Sequence, residues 1–483
     1  MDPRSIWAVS AEDIRRFQGD DGRFTALVND LIRASASKAG VDASEIRANL
    51  KTKFVDGGVD TQVRKPIPDA NGWMNKRTLW QLKATAHDTI SERVLTEEIE
   101  GKKARKKTSR PKPRFVVDRL EKNYAYRFCI ADSIPPSKKK TWEEHLAGVI
   151  GRIRPNRYAP RVVSADDLAV WVSRFPALVI QYFRPDLAKF QSYAQWSRSA
   201  TSLTETYIHL QQWGAASARI AEHLDLKKRA HEPVLIVRGL SGVGKTRLVH
   251  EIARAAAELI VYTDRERDAE DLAVSLANRE DKAAILIADE CSIVVSDRLN
   301  QRLQAHTDRL RVIAIDNSGK KALSSNEIWL EKMPEQALER ILAENFATVP
   351  ADTRARFAEL SRGYPRFAAD LCRNAPRVEA EGRSSRMDSV EAYLKGRLER
   401  LTDDNRLGVS CLDALEVCSL LHRVGWKRGT VAGRELEELC RLLDMKDVEG
   451  IRDAIKVINQ NTGFIALAGD WCYVTPEIVS ETA

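Results

Sequence analysis

The segment GLSGVGKT at residues 239–246 constrains this chain more than any other feature. An apolar, β-branched run, VLIV at 234–237, precedes it, and RLVHEIARAA follows with apolar residues at helical spacing. A strand, a glycine loop and a helix in that order form the context a phosphate-binding loop requires. The glycines let main-chain N–H groups converge on phosphate oxygens, and the helix start adds partial positive charge. The residues expected around the phosphates are Gly239, Ser241, Gly242, Val243, Gly244, Lys245, Thr246 and Arg247. Lys245 is suited to bridge β- and γ-phosphates, and the Thr246 hydroxyl to ligate Mg²⁺.

Such a loop needs a parallel sheet behind it, and further apolar runs supply the strands. LIVY at 259–262 reads as the second, and AILIA at 284–288 as a fully buried third that ends in Asp289-Glu290. At that position Asp289 is expected to hold Mg²⁺ through water, and Glu290 to polarise an attacking water. RVIAI at 311–315 leads into Asp316, Asn317 and Ser318, and EIWL at 327–330 closes the set. Met333-Pro334 then opens a helix over 335–346, and GYPR follows at 363–366. Five strands separated by helices imply a sheet covered on both faces, with ligand beyond the strands' C-terminal ends.

On these motifs, residues 215–400 resemble the ATPase core of the AAA+ and STAND families, which implies ATP and Mg²⁺ as cofactors. The resemblance gives Asn317 the task of orienting water or the γ-phosphate, with Asp316 as the less favoured choice. It places Pro365 and Arg366 in a lid element from which Arg366 reaches the γ-phosphate. Arg298, Arg302 and Arg309 all lie where an arginine finger is sought, and spacing does not choose among them.

A chain of 483 residues exceeds one ordinary core, so roughly two to four domains are expected. No apolar run of about 18 residues is present, and the N-terminus lacks a signal-like pattern, so a cytoplasmic protein without a membrane partner is expected. The seven cysteines are scattered with no C-x-x-C pair, which favours buried free thiols over zinc ligands. The net charge of +8 permits a nucleic-acid partner. Part of that excess is KKARKKTSRPKPR at 102–114, which reads first as a solvated loop.

The N-terminal third carries a second constellation. Phe24, Leu27, Val28, Leu31 and Ile32 share one helical face. DGGVD at 56–60 turns into the strand TQV at 61–63, and TLWQLKA at 78–84 alternates as a second strand. Gln81 and Lys83 are two apart and so face the same side, where Asp60 on the neighbouring strand can meet them. Here the chain resembles PD-(D/E)XK nucleases of the Mrr-like restriction type. That resemblance implies Mg²⁺ held by Asp60 and the Gln81 carbonyl, helped by the Leu82 main-chain carbonyl. Lys83 would orient or deprotonate water for attack on a phosphodiester. Gln81 departs from the carboxylate of many relatives, and the first helix offers Asn29-Asp30 in place of a clear Glu. A strand at 124–130, a helix at 141–153, a strand at 160–163 and a helix starting at Ser164 or Asp166 continue the pattern.

Between these regions, helical sequence with Trp196 and Trp213 reads as a connector whose aromatics form interface core. At the C-terminus, helices over 413–421, 434–443 and 448–459 precede a hairpin with its turn at Gly469-Asp470. That is a winged-helix pattern. Its third helix balances Arg452 and Lys456 with Glu449 and Asp453, which favours packing on the ATPase over reading DNA.

The expected architecture is therefore an α/β multidomain chain: a restriction-endonuclease-like α/β domain at 1–187, a helical connector at 188–228, a P-loop AAA+/STAND parallel-sheet core at 229–332, a helical lid at 333–404 and a winged helix at 405–483. The order resembles bacterial antiviral and restriction-type defence ATPases. It implies an ATP-regulated, Mg²⁺-dependent DNA endonuclease that is switched on by ATP binding and homo-oligomerisation, and triggered through a separate sensor subunit or a phage-derived signal. Two other classes remain open: an AAA+ motor or loader with a non-cutting DNA-binding domain, and a purely regulatory ATP-binding scaffold.

Overall fold

The computed structural model describes residues 6–48, 59–101, 115–155, 158–187, 189–199, 206–228, 230–317, 324–380, 390–421, 423–476 and 479. The basic run at 102–114, the turn at 56–58 and Ser318 lie outside the described residues.

Near the N-terminus the helix Asp21–Lys38 is capped by Asp20, whose carboxylate accepts from the Arg23 N–H, and buries Phe24, Leu27, Val28, Leu31 and Ile32. It lies on a five-stranded sheet of β1 (Ile46–Ala48), β2 (Thr61–Val63), β3 (Thr78–Lys83), β4 (Ala125–Ile130) and β5 (Arg161–Val163), arranged in that order. The first three strands form an antiparallel meander, and β4 and β5 continue parallel to β3. A parallel step needs a crossover, which the helices Glu92–Glu100, Phe115–Glu121 and Pro136–Ile153 supply. Those helices pack on one face around Leu79, Phe128, Ile130 and Trp142, forming a core separate from that of the other face. Ser164 is the N-cap of the next helix, and the Asp167 carboxylate reaches back to its N–H at 2.8 Å.

The second sheet has the order β11-β7-β10-β9-β8-β6. It comprises β7 (Val234–Arg238), β8 (Ile260–Thr263), β9 (Ala284–Ala288), β10 (Leu310–Asp316) and β11 (Glu327–Trp329), all parallel. A sixth strand, β6 (Gln191–Ser192), comes from the expected connector and pairs antiparallel with β8. Residues 188–228 are therefore more than a helical connection, because two of them complete the sheet edge. Trp196 is buried and stacks on Tyr262 of β8 with ring centroids 4.5 Å apart. The helix Asp21–Lys38 packs on residues 254–259, and Trp7 donates to Ser275 at 3.2 Å, so the two sheets share one continuous apolar core.

Helices Glu335–Asn345, Ala351–Leu360, Pro365–Ala380 and Val390–Asp404 follow the sheet. Beyond them come Cys411–Ser419, Arg434–Leu442 and Val448–Asn461, and a three-stranded sheet in the order β12-β14-β13. Its strands are β12 (Val424–Gly425), β13 (Ile465–Ala468) and β14 (Trp471–Val474). No helix among the described residues is long and apolar enough to cross a membrane.

Candidate functional site

Parallel strands end together, and the side chains carried on the loops after β7, β9 and β10 converge there. Lys245 begins the helix Lys245–Ala253, and its ammonium is buried, donating to the carbonyls of Gly239 at 2.6 Å and Leu240 at 2.8 Å. The Thr246 hydroxyl donates to the Asp289 carboxylate at 3.0 Å. That hydroxyl and carboxylate side by side fit Mg²⁺, which favours one or two carboxylate ligands completed by water and phosphate oxygens. Tyr262 also donates to Asp289 at 3.3 Å. Val243 points into the core, so only its main chain faces the loop, and Arg247 lies along its helix toward Glu251 and Tyr207.

Glu290 sits at φ 55°, a left-handed conformation that is strained for a non-glycine residue and turns its carboxylate into the cleft. Asn317 donates to it at 2.5 Å. Burial, and then the Asp289 charge beside it, push the Glu290 carboxyl up to about 7. Asp316 is turned the other way: with Glu327 it holds the buried Arg238 guanidinium, each at 2.9 Å. Asn317, not Asp316, therefore faces the cleft. Arg309 is buried and bonded to the carbonyls of Leu276, Ala277 and Lys282, so of the three finger candidates only Arg298 and Arg302 stay exposed.

The C-terminal hairpin closes over this cleft. Tyr473 on β14 donates to the Glu290 carboxylate, and Ser241 of the glycine loop donates to Thr475 at 2.6 Å. Gly242 has φ 85°, and any Cβ there would run into Pro476. Arg423 lies over the Trp471 ring at 4.4 Å and pairs with Glu266 at 3.8 Å. Pro365 opens its helix, and Arg366 in the same turn reaches Gly463 at the foot of the hairpin, close enough to Glu290 and Tyr473 to act on them electrostatically. No pattern in the sequence marks Tyr473, Thr475 or Pro476 as neighbours of the loop.

A second group of side chains gathers on the N-terminal sheet. Thr61 faces Trp80 across the β2–β3 ladder, so Asp60 lies opposite Gln81. The Asp60 carboxylate accepts from the Leu82 N–H at 2.7 Å. Gln81 is buried, and its side-chain oxygen has no hydrogen-bond partner among the described residues, an orphaned acceptor of the kind a cation would satisfy. Lys83, on the same face, pairs with Glu98 of the crossover helix at 2.7 Å. Asn29 accepts from Thr61 at 2.5 Å on the other face, and Asp30 accepts from Tyr182 at 2.6 Å, so neither extends this group. Glu98 is the member that sequence reading missed; it lies 15 residues beyond Lys83 in an ordinary amphipathic helix. Among the described residues no three His, Cys, Asp or Glu side chains converge to hold a metal. A cation here would rest on Asp60, the Gln81 amide and main-chain oxygen.

A parallel sheet with a glycine loop and buried lysine after one strand, and an Asp-Glu pair after another, defines a P-loop nucleotide-binding core. No family model matches the chain, and no curated protein matches it. Among solved structures it is similar to a STAND protein with a tetratricopeptide repeat sensor from Pyrococcus horikoshii (14% identity, TM-score 0.33, 58% of this chain and 42% of that one). It is also similar to the Aeropyrum pernix ORC1 protein in complex with DNA (17% identity, TM-score 0.32, 61% and 96%). C. elegans PCH-2 is a third (14% identity, TM-score 0.24, 35% and 62%). The chain thus spans less than half of the first of these.

Proposed function

We propose that this protein is an ATP-binding and ATP-hydrolysing switch whose nucleotide state governs an N-terminal DNA endonuclease. The contact that carries the switch is the closure of the C-terminal hairpin onto the loop that would hold the phosphates. Phosphates entering beside Gly242 must displace Thr475 and Pro476, and freeing Glu290 from Tyr473 returns it to work on water. Lys245 then exchanges its loop carbonyls for phosphate oxygens. Bound at Thr246 and Asp289, Mg²⁺ would neutralise phosphate charge. Asn317 orients Glu290, which polarises the attacking water, and hydrolysis resets the closed form. Homo-oligomerisation of the open form is the route by which the exposed Arg298 or Arg302 would reach a neighbouring site.

The nuclease half of the reading is supported by the meander-then-parallel sheet and by Asp60, Gln81 and Lys83 at one end of the β2–β3 pair, beside Glu98. In this reading Lys83, poised by Glu98, orients or deprotonates the water that attacks a phosphodiester. The third C-terminal helix contributes little to DNA binding here, because Arg452 is buried against Glu437, Glu449 and the Trp426 carbonyl, and Lys456 pairs with Asp453. A role in antiviral or restriction-type defence rests on domain order and belongs to the same proposal. Plasmid cleavage with Mg²⁺, with and without ATP, tests both halves. Wild type should cut in an ATP-dependent way, Asp60→Ala and Lys83→Ala should not cut, and Lys245→Ala should lose the ATP response. Undiminished cutting by both nuclease-site variants would overturn the assignment of that site.

A further inference from the structure

Away from both candidate sites, the open edge of the N-terminal sheet carries a cavity of about 430 Å³ lined by Arg47, Arg64, Arg77, Arg119, Gln62 and Tyr124. Glu45 is the one acid in its wall; just outside it Asp118 pairs with Arg119 at 3.8 Å, and the Lys122 carbonyl accepts from Arg77 at 2.8 Å, which leaves an excess of positive charge. Such a concentration of like charge is unfavourable unless an anion or solvent balances it.

The strand register sets where this cavity lies. Arg47 is opposite Gln62, Gln62 is opposite Leu79, and Val63 is opposite Thr78, which brings Arg64 opposite Arg77. Directly paired residues share a face, as do residues two apart. Arg47, Gln62, Arg64 and Arg77 therefore share the face that presents Gln81 and Lys83. Arg119 adds the wall formed by the helix Phe115–Glu121; its Nε makes no hydrogen bond among the described residues and pairs only with Asp118 at 3.8 Å. Gln62 and Arg64 are two and four residues beyond Asp60, or about 7 and 13 Å along the strand. Gln62 and Leu79 between them are buried under the crossover helices, so the pocket and Asp60 lie toward opposite ends of the β2–β3 pair.

The lining also tells which part of a nucleic acid fits. Tyr124 is buried, and the Arg77 guanidinium covers its ring at 4.7 Å, so no aromatic face is left for a base to stack on. Donors without a stacking platform suit phosphate oxygens.

We infer that this arginine pocket binds the sugar–phosphate backbone of the DNA duplex presented to Asp60, Gln81 and Lys83, away from the reacting phosphate. The identity of that ligand rests on the nuclease reading; the anion-binding character of the pocket does not. Arg47 and Arg64 are exposed, so replacing them leaves the core intact. The test is fluorescence anisotropy of a labelled 30-base-pair duplex with the full chain in EDTA, over a range of salt concentrations. The double variant Arg47→Ala/Arg64→Ala should lose two phosphate contacts. At 0.15 M salt that is about a 30-fold weaker affinity, and the log–log salt slope should become shallower by about 2. Binding of a fluorescent ATP analogue should be unchanged, which reports a folded variant.

Asp60→Ala and Lys83→Ala distinguish the two ways of failing. If both keep duplex binding and wild type cuts nothing, while the arginine variant loses binding, the pocket stands and the nuclease reading falls. If the arginine variant binds duplex with wild-type affinity and slope, the pocket is not a backbone site, whether or not the protein cuts.

Discussion

Tyr473→Phe isolates the contact that closes the nucleotide site. The substitution keeps the ring and deletes only the hydroxyl that donates to Glu290. A hydrogen bond to a charged acceptor is worth about 1.5–3 kcal/mol, and Asn317 remains to satisfy the Glu290 oxygen, so no orphaned acceptor is left. The whole of that energy is then subtracted from the closed form, moving the open–closed balance about 10- to 150-fold toward open. When only the open fraction binds ATP, apparent affinity scales with that fraction. The apparent Kd for a fluorescent ATP analogue should therefore tighten by up to the same factor, with less gain if the wild type is already partly open. Thr475→Val, which removes the partner of Ser241, should act in the same direction by a smaller amount, because that bond joins two neutral groups. Equal or weaker ATP affinity in Tyr473→Phe would refute the hairpin as a gate.

Four further outcomes are expected. Glu290→Gln should retain ATP binding and lose turnover by about 100-fold or more, while Lys245→Ala should lose binding itself, as read by calorimetry and phosphate release. Glu98→Gln should lower plasmid cleavage without changing duplex affinity, because the ion pair that orients Lys83 is lost while the anion-binding surface is not. Arg238→Ala strands the Asp316 and Glu327 carboxylates in the sheet and should cost about 3–5 kcal/mol in urea unfolding. Burial holds both His223 and His250 down to about 4 in the folded chain, below the 6.5 they regain on unfolding. Between those values the unfolded chain binds more protons, so stability should be intact above pH 6.5 and fall toward pH 4, by up to about 3 kcal/mol for the deeply enclosed His223 and by less for His250, which solvent screens more. His223→Gln should show a shallower loss in the urea midpoint over that range.

Much of this was readable from short stretches of chain. The apolar runs at 234–237 and 284–288 lie in β7 and β9, and GLSGVGKT joins β7 to a helix, because strand and turn preferences act over a few residues. The spacing of Gln81 and Lys83 likewise sets their shared face with no help from the rest of the molecule. The order Asp289-Glu290 after a buried strand was visible for the same reason.

Other features needed distant segments to meet. Glu290 and Tyr473 are 183 positions apart and Ser241 and Thr475 are 234 apart, and no periodicity spans such gaps. Whether Asp316 or Asn317 faces the cleft depended on Arg238 claiming one of them, which is a matter of which strands are neighbours. Gln191 and Ser192 join the sheet as β6 only because β8 presents an unpaired edge. The four arginines at 47, 64, 77 and 119 are unremarkable singly, and become one pocket only through the register of β1, β2 and β3 and the packing of a helix beside them. Local sequence determined the phosphate loop and the elements that carry the chemistry. Tertiary packing decided what stands over that loop and what lies beside Asp60, because those contacts come from elements whose separation in sequence carries no record of their meeting.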